Sequence, residues 1–196
     1  MRILFAAPDR DLIRCYGTLL DGPDRTVETA FDGVQVLRLL SEGDWDLLIL
    51  SRDIPRIDWR RIVEHRSLEG PPILLLSAEP PDLRFLRDKA LPNACLPLPF
   101  LPEELEAVLQ RLRAALNSEV VMELEGRELP VSGFRLGKAR LILNEVEALA
   151  ALTAGRQPPD DRTALRSLNE KLAAQGFAHR IRYRAKEGYR LVTEDE

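Results

Sequence analysis

Cysteine and histidine are scarce in this sequence, with 2 of each among 196 residues. Cys15 and Cys95 supply neither a disulfide framework nor the three or four soft ligands of a zinc site, and both are expected to be small buried residues. His65 and His179 stand apart from any Ser, Cys or Asp constellation, so no nucleophile has a base beside it, and neither is assigned a role. No glycine-rich loop is spaced to cradle a phosphate. These absences argue against an enzyme and against a resident cofactor or metal. No apolar run approaches the ~20 residues that span a bilayer. The opening run Ile3-Leu4-Phe5-Ala6-Ala7 breaks at Pro8-Asp9, too early for a signal peptide, so a cytoplasmic protein with no membrane partner is expected. Trp45 and Trp59 read as core or flanking residues rather than as a binding platform.

What is present is long enough for one sizeable domain and a smaller one. The net charge of −4 hides an asymmetry. Residues 1–117 carry all of that excess, whereas between Arg162 and Arg190 eight basic residues face only Glu170 and Glu187, a local net of +6. Such a patch is the footprint expected of a surface that meets phosphates.

In residues 1–117, apolar runs of strand length occur at 2–7, 46–51 and 73–76, with weaker ones at 26–31 and 94–96. Strands buried on both faces read this way. Between them lie helical patterns on Leu12, Ile13, Tyr16, Leu19 and Leu20; on Val34, Val36, Leu37, Leu39 and Leu40; on Ile57, Ile62 and Val63; on Leu83, Phe85 and Leu86; and from Leu101 to Leu116, where Pro102-Glu103-Glu104 suits a first turn. Strand and helix thus alternate five times, which predicts an α/β domain: a five-stranded parallel sheet with helices on both faces.

Residues 118–196 predict a small α+β domain. Short β-like pieces at 119–124, 128–131, 134–136 and 140–143 suggest an antiparallel sheet. Asn144-Glu145-Val146-Glu147 is spaced as a capping box for a helix closed by Gly155. A second helix, capped by Asp160 or Asp161, is expected to bury Ala164, Leu165, Leu168, Leu172 and Ala173, leaving Arg162, Arg166, Asn169 and Lys171 outside. Residues 178–184 and 188–192 read as a hairpin turning at Gly188.

Residues 1–117 resemble the receiver domain of bacterial response regulators, which implies a flavodoxin-like arrangement of that sheet. The resemblance rests on Arg2-Ile3-Leu4, on Asp32-Gly33 entering the second helix, on Asp46-Leu47-Leu48-Ile49-Leu50 followed by Ile54-Pro55, on Ser77-Ala78, and on Leu96-Pro97-Leu98-Pro99-Phe100. Receivers hold Mg²⁺ on acidic residues after the first strand, phosphorylate an aspartate after the third and contact the phosphoryl group with a lysine before the last proline. The matching positions here are Ala7 and Pro8, Ser51, and Leu98. Of that pocket only the hydroxyl, Ser77, is kept, and Cys95 stands where the aromatic residue that moves with it belongs. Without hard oxygen ligands, a carboxylate nucleophile or a cation, metal-assisted acyl-phosphate formation has no footing. Asp9 and Asp53 lie close enough to bind a cation, or else serve as a helix cap and a turn residue. Ser51 is either a strand-end hydroxyl bonded to local backbone or a target for a serine kinase.

Residues 118–196 are similar to the winged-helix effector of OmpR-type regulators, through Leu165-Arg166-Ser167-Leu168-Asn169-Glu170-Lys171-Leu172 and the closing Gly188-Tyr189-Arg190-Leu191. The stretch between Gly155 and Arg162 is too short for that family's middle helix, so the domain is abbreviated. The resemblance implies DNA as a partner, contacted by Arg162, Arg166, Asn169, Lys171, Arg180, Arg182, Arg184 and Lys186. It also implies a receiver homodimer in which Arg84, Arg87, Asp88, Glu106 and Arg111 are interface charges. The expected function is a phosphorylation-independent, DNA-binding regulator of transcription. The alternative is an adaptor that has lost DNA and contacts RNA polymerase or another regulator.

Overall fold

The computed structural model describes residues 1–66, 70–79, 92–124, 127–185 and 187–192. Two compact units divide inside one helix, as residues 1–109 and 110–196.

In the first unit, five parallel strands run β1 (Arg2–Ala6), β2 (Thr26–Ala30), β3 (Leu47–Ser51), β4 (Ile73–Ser77) and β5 (Ala94–Pro97), in spatial order β2-β1-β3-β4-β5. The two central apolar runs become β3 and β4, and every residue of both is buried. β5 tolerates Pro97 because it lies at the sheet's edge, where a missing N–H breaks no ladder. The helices are α1 (Arg10–Leu20), α2 (Gly33–Glu42), α3 (Trp59–His65) and α4 (Pro102–Leu116). The pattern on Leu83, Phe85 and Leu86 lies outside the described residues.

Each of the first three helices starts on an aspartate. Asp9 accepts from the N–H groups of Asp11 and Leu12 (2.8 and 3.2 Å), Asp32 from Gln35 (2.9 Å), and Asp58 from Arg60 (2.8 Å). Such caps satisfy donors that a first turn leaves open. Gly33 follows its cap for a steric reason: a Cβ there would lie 2.7 Å from both the carbonyl oxygen and the Cβ of Ile57. Trp59 is buried, whereas Trp45 lies half-buried, donating its indole N–H to Leu39 O (2.8 Å) beneath the Arg2 guanidinium. Both cysteines are exposed, which corrects the expected burial. Burial of the Cys95 sulfur still pushes its thiol up to about 11, so it is not a thiolate at neutral pH.

The second unit begins with an antiparallel sheet of β6 (Glu119–Leu124), β7 (Arg127–Ser132), β8 (Arg135–Leu136) and β9 (Ala139–Arg140). Then come α5 (Leu143–Thr153), α6 (Arg162–Ala174) and the hairpin β10 (Arg180–Arg184) with β11 (Gly188–Val192). α5 starts on Ile142 rather than Asn144. Isoleucine has no side-chain acceptor, so only half a capping box forms: Glu145 accepts from the Ile142 N–H at 2.8 Å. Asn144 instead donates to Asp161 (2.7 Å) and accepts from Arg111 (3.2 Å).

Of the two cap candidates for α6, Asp161 does the work, accepting from Thr163 and Ala164 N–H at 3.1 and 3.0 Å. Burial opposes its charge, but hydrogen bonds from Ala164, Asn144 and Thr163 outweigh that and hold the carboxyl below the usual carboxylate range. A depressed folded value means the stabilisation is full above the unfolded value of 3.8 and fades as pH falls through the folded one. Asp161→Ala is expected to cost about 0.5–2 kcal/mol near neutral pH. In urea melts, that loss should shrink as pH drops below the unfolded value, and a constant loss would contradict the cap's role.

Candidate functional site

The ends of β1, β3 and β4 open on the crevice where receivers do their chemistry. Ala7 is fully buried and Pro8 exposed, and neither offers a side-chain oxygen. Asp9 points its carboxylate at the start of α1, as a cap. Asp53 is an exposed turn residue whose N–H donates to Ser51 Oγ at 3.3 Å. The bland reading of Ser51, a buried hydroxyl bonded to local backbone, therefore describes it. Among the described residues no cluster of three or more His, Cys, Asp or Glu could hold a metal. The donor set does not fit Mg²⁺, which needs several hard oxygens in near-octahedral array.

An arginine reaches across this strand end. The Arg52 guanidinium lies 3.4 Å from Ser77 Oγ and 3.5 Å from a Glu79 carboxylate oxygen. The Ser77 hydroxyl in turn donates to the Glu79 carbonyl. Arg10 stacks over Phe31 at 5.2 Å, and Arg56, in a left-handed conformation (φ 72°), reaches Asp32 at 3.6 Å. Leu98 is half-buried and its peptide bond to Pro99 is cis. A cation bridging serine and glutamate thus stands where the resemblance expects metal, phosphoryl group and lysine. Nothing about Arg52 alone announced this, because Glu79 lies 27 residues away.

The proposed interface charges separate into three groups. Arg84, Arg87 and Asp88 lie outside the described residues. Glu106 is held by both guanidinium nitrogens of Arg25, at 2.7 and 2.8 Å. Arg111 makes a similar two-point contact with Glu147, both bonds 2.8 Å.

The basic end is sorted by the hairpin and by α6. Lys171, expected outside, is buried, and its Nζ lies 2.7 and 2.8 Å from the two oxygens of fully buried Glu145. Ala173, expected inside, is exposed. The buried set 164, 165, 168, 171 and 172 is one continuous helical stripe, and a lysine can occupy it because α5 supplies a matching carboxylate. Asn169 is also turned inward, donating to Ile181 O (3.1 Å) and accepting from Ile181 N–H (2.7 Å). Arg180 is half-buried and bonded to the carbonyls of Phe177 and His179. That removes Lys171 from any DNA-facing surface and engages Asn169 and Arg180 within the fold. Lys186 lies outside the described residues.

Arg162, Arg166, Arg182 and Arg184 are exposed, and to them the structure adds Arg190. In the hairpin register Arg182 sits opposite Arg190, and Tyr183 opposite Tyr189. Side chains alternate across a strand, so arginines hold one face of the ribbon and tyrosines the other. Like charges directly opposite one another are unfavourable unless something anionic lies over them.

No protein-family model matches the chain. Over 123 residues it is 29% identical to the transcriptional regulatory protein CpxR homolog of Haemophilus influenzae, covering 60% of this chain and 54% of that protein. Over 120 residues it is 34% identical to the response regulator MprA of Mycobacterium ulcerans, covering 60% of this chain and 50% of that one. The chain thus matches about half the length of these curated relatives. Among solved structures, the chemotaxis response regulator CheY4 of Vibrio cholerae covers 56% of this chain at 24% identity and a TM-score of 0.51. A cysteine-to-aspartate mutant of RitR covers 98% of this chain at 18% identity and a TM-score of 0.68. The first unit has the CheY-like fold, followed by a smaller α/β region, and about 60% of the chain is similar at modest identity to a transcriptional regulatory protein and to a response regulator.

Proposed function

We propose that this chain is a regulator of transcription that works without phosphorylation and without catalysis, and that it acts by holding duplex DNA with its C-terminal ribbon. The observation that carries the reading is the arginine face of β10–β11, where Arg182 and Arg190 oppose each other beside Arg184. A phosphate backbone is the polyanion that relieves such a juxtaposition. Arg162 and Arg166 on α6 extend the same kind of contact, although Arg166 shares its charge with Glu170 at 3.3 Å. The receiver's part is association with a second copy, in which Arg84, Arg87 and Asp88 remain the proposed polar contacts.

The adaptor reading has its own support. Residues 154–161 form no helix between α5 and α6, and Asn169 and Lys171 face inward, so α6 offers fewer groups to base edges than its sequence advertised. Anisotropy of labelled genomic duplex fragments against salt separates the two. Each phosphate contact contributes a slope of about 0.9 in log K against log salt. Arg182→Ala and Arg190→Ala are each expected to lower the slope by about one, weakening binding alike across sequences. Absence of duplex binding even at low salt would favour the adaptor.

A further inference from the structure

We propose that the tyrosine face of the same hairpin is a nucleotide site, which takes a base on Tyr183 and its phosphate on Arg162. Where the loop before α6 meets the ribbon, a cleft of about 530 Å³ is lined by Gln157, Pro158, Asp160, Arg162, Tyr183 and Tyr189. That volume lies within the range of about 300–1,000 Å³ usual for small-ligand sites.

The walls are fastened. Tyr189 donates its hydroxyl to Asp160 (3.1 Å) and its N–H to Gln157 Oε1 (2.9 Å), while Gln157 Nε2 donates to Glu187 O (2.9 Å). Gly188, with φ +76°, makes this close approach possible, since a Cβ there would collide with the Gln157 amide. Tyr183 is the opposite case. It is 67% exposed, and it touches Tyr189 edge-on, with ring centroids 5.3 Å apart and planes at 65°. An edge contact leaves a flat face of Tyr183 open to a planar guest.

The lining selects the guest's class. A simple anion would use Arg162 but gains nothing from a tyrosine face, and a neutral aromatic would use the face but not the cation. A nucleotide uses both, and the Asp160 carboxylate is placed to accept from an exocyclic amine or a ribose hydroxyl. A free mononucleotide and one unit of a single strand share this chemistry. Arg162 serves both sites, but Tyr183 lies on the face opposite Arg182 and Arg190, so its loss separates the nucleotide site from duplex binding.

The test uses the full chain with two probes, adenosine 5′-monophosphate by calorimetry and a labelled oligothymidylate of about eight nucleotides by anisotropy, a length within the usual reach of single-strand sites. At least one probe should bind. Tyr183→Ala should weaken that binding about fivefold or more, Tyr183→Phe should retain it, and Arg162→Ala should weaken it and flatten its salt dependence. Mononucleotide binding that the oligomer does not match assigns a free nucleotide, and binding of the oligomer alone assigns a single strand. Because Tyr183 is exposed, its alanine variant should melt like the parent, and duplex affinity should be unaltered. No binding of either probe at millimolar concentration, or equal binding by Tyr183→Ala, overturns the proposal, whereas loss of duplex binding through Arg182→Ala leaves it standing.

Discussion

Lys171→Ala is expected to destabilise the second unit by about 3–5 kcal/mol, a large share of what a domain of this size possesses. The reason is the partner left behind. Glu145 is fully buried, and two of its contacts are with Lys171 Nζ, at 2.7 and 2.8 Å. Remove the ammonium, and a carboxylate stays in an apolar interior, where among the described residues it keeps the Ile142 N–H as its donor. Removing both charges is a different experiment, because neither ion then has to be desolvated. Lys171→Met with Glu145→Gln keeps an acceptor for Ile142 and a side chain of similar volume in the stripe, and should recover more than half of the loss. Urea denaturation of the single and double variants measures this directly. Strictly additive losses would show that the two groups are not coupled and that the ion pair is incidental.

Ser51→Asp is expected to leave the protein unmodified by acetyl phosphate and Mg²⁺, although it reinstates a carboxylate at the end of β3. A nucleophile is one of several requirements. Ala7 and Pro8 provide no side-chain ligand, Leu98 no cation, and the Arg52 guanidinium lies against Ser77 and Glu79. A missing charge stabiliser typically costs about 10²–10³ in rate, so the losses multiply. Combining Ala7→Asp, Pro8→Asp, Ser51→Asp and Leu98→Lys with Arg52→Ala should give Mg²⁺-dependent incorporation visible by intact mass. Stoichiometric labelling of the single Ser51→Asp variant, or of the parent, would refute the degenerate reading of this crevice.

The parallel sheet was legible because its information is local. Runs such as Leu47–Leu50 and Ile73–Leu76 carry no polar residue, and each lies on a central strand buried on both faces. The cap on Asp9 was legible for the same reason, since donor and acceptor lie within three residues of one another. What stayed hidden depends on partners far along the chain. Spacing alone places Lys171 inward, in step with Leu165, Leu168 and Leu172, but its charge argues it outward until Glu145, 26 residues earlier, is known to face it. Asn169 reads as a polar surface residue until Ile181 offers both of its backbone groups. The contact between Arg52 and Glu79 likewise joins residues 27 apart in sequence. In the basic end, composition revealed the charge, but only strand register divides it into an arginine face and a tyrosine face.

That division gives Asn169 a larger part than its two hydrogen bonds suggest. A ribbon with period two has a phase, and sliding one strand by a single residue exchanges its faces. In this hairpin such a slip of β10 would carry Tyr183 to the phosphate side and Arg182 and Arg184 into the cleft. Asn169 grips both the N–H and the carbonyl of Ile181, which sets the phase of β10 against α6 from outside the ribbon. It acts as the key that decides which chemistry the ribbon shows to which side.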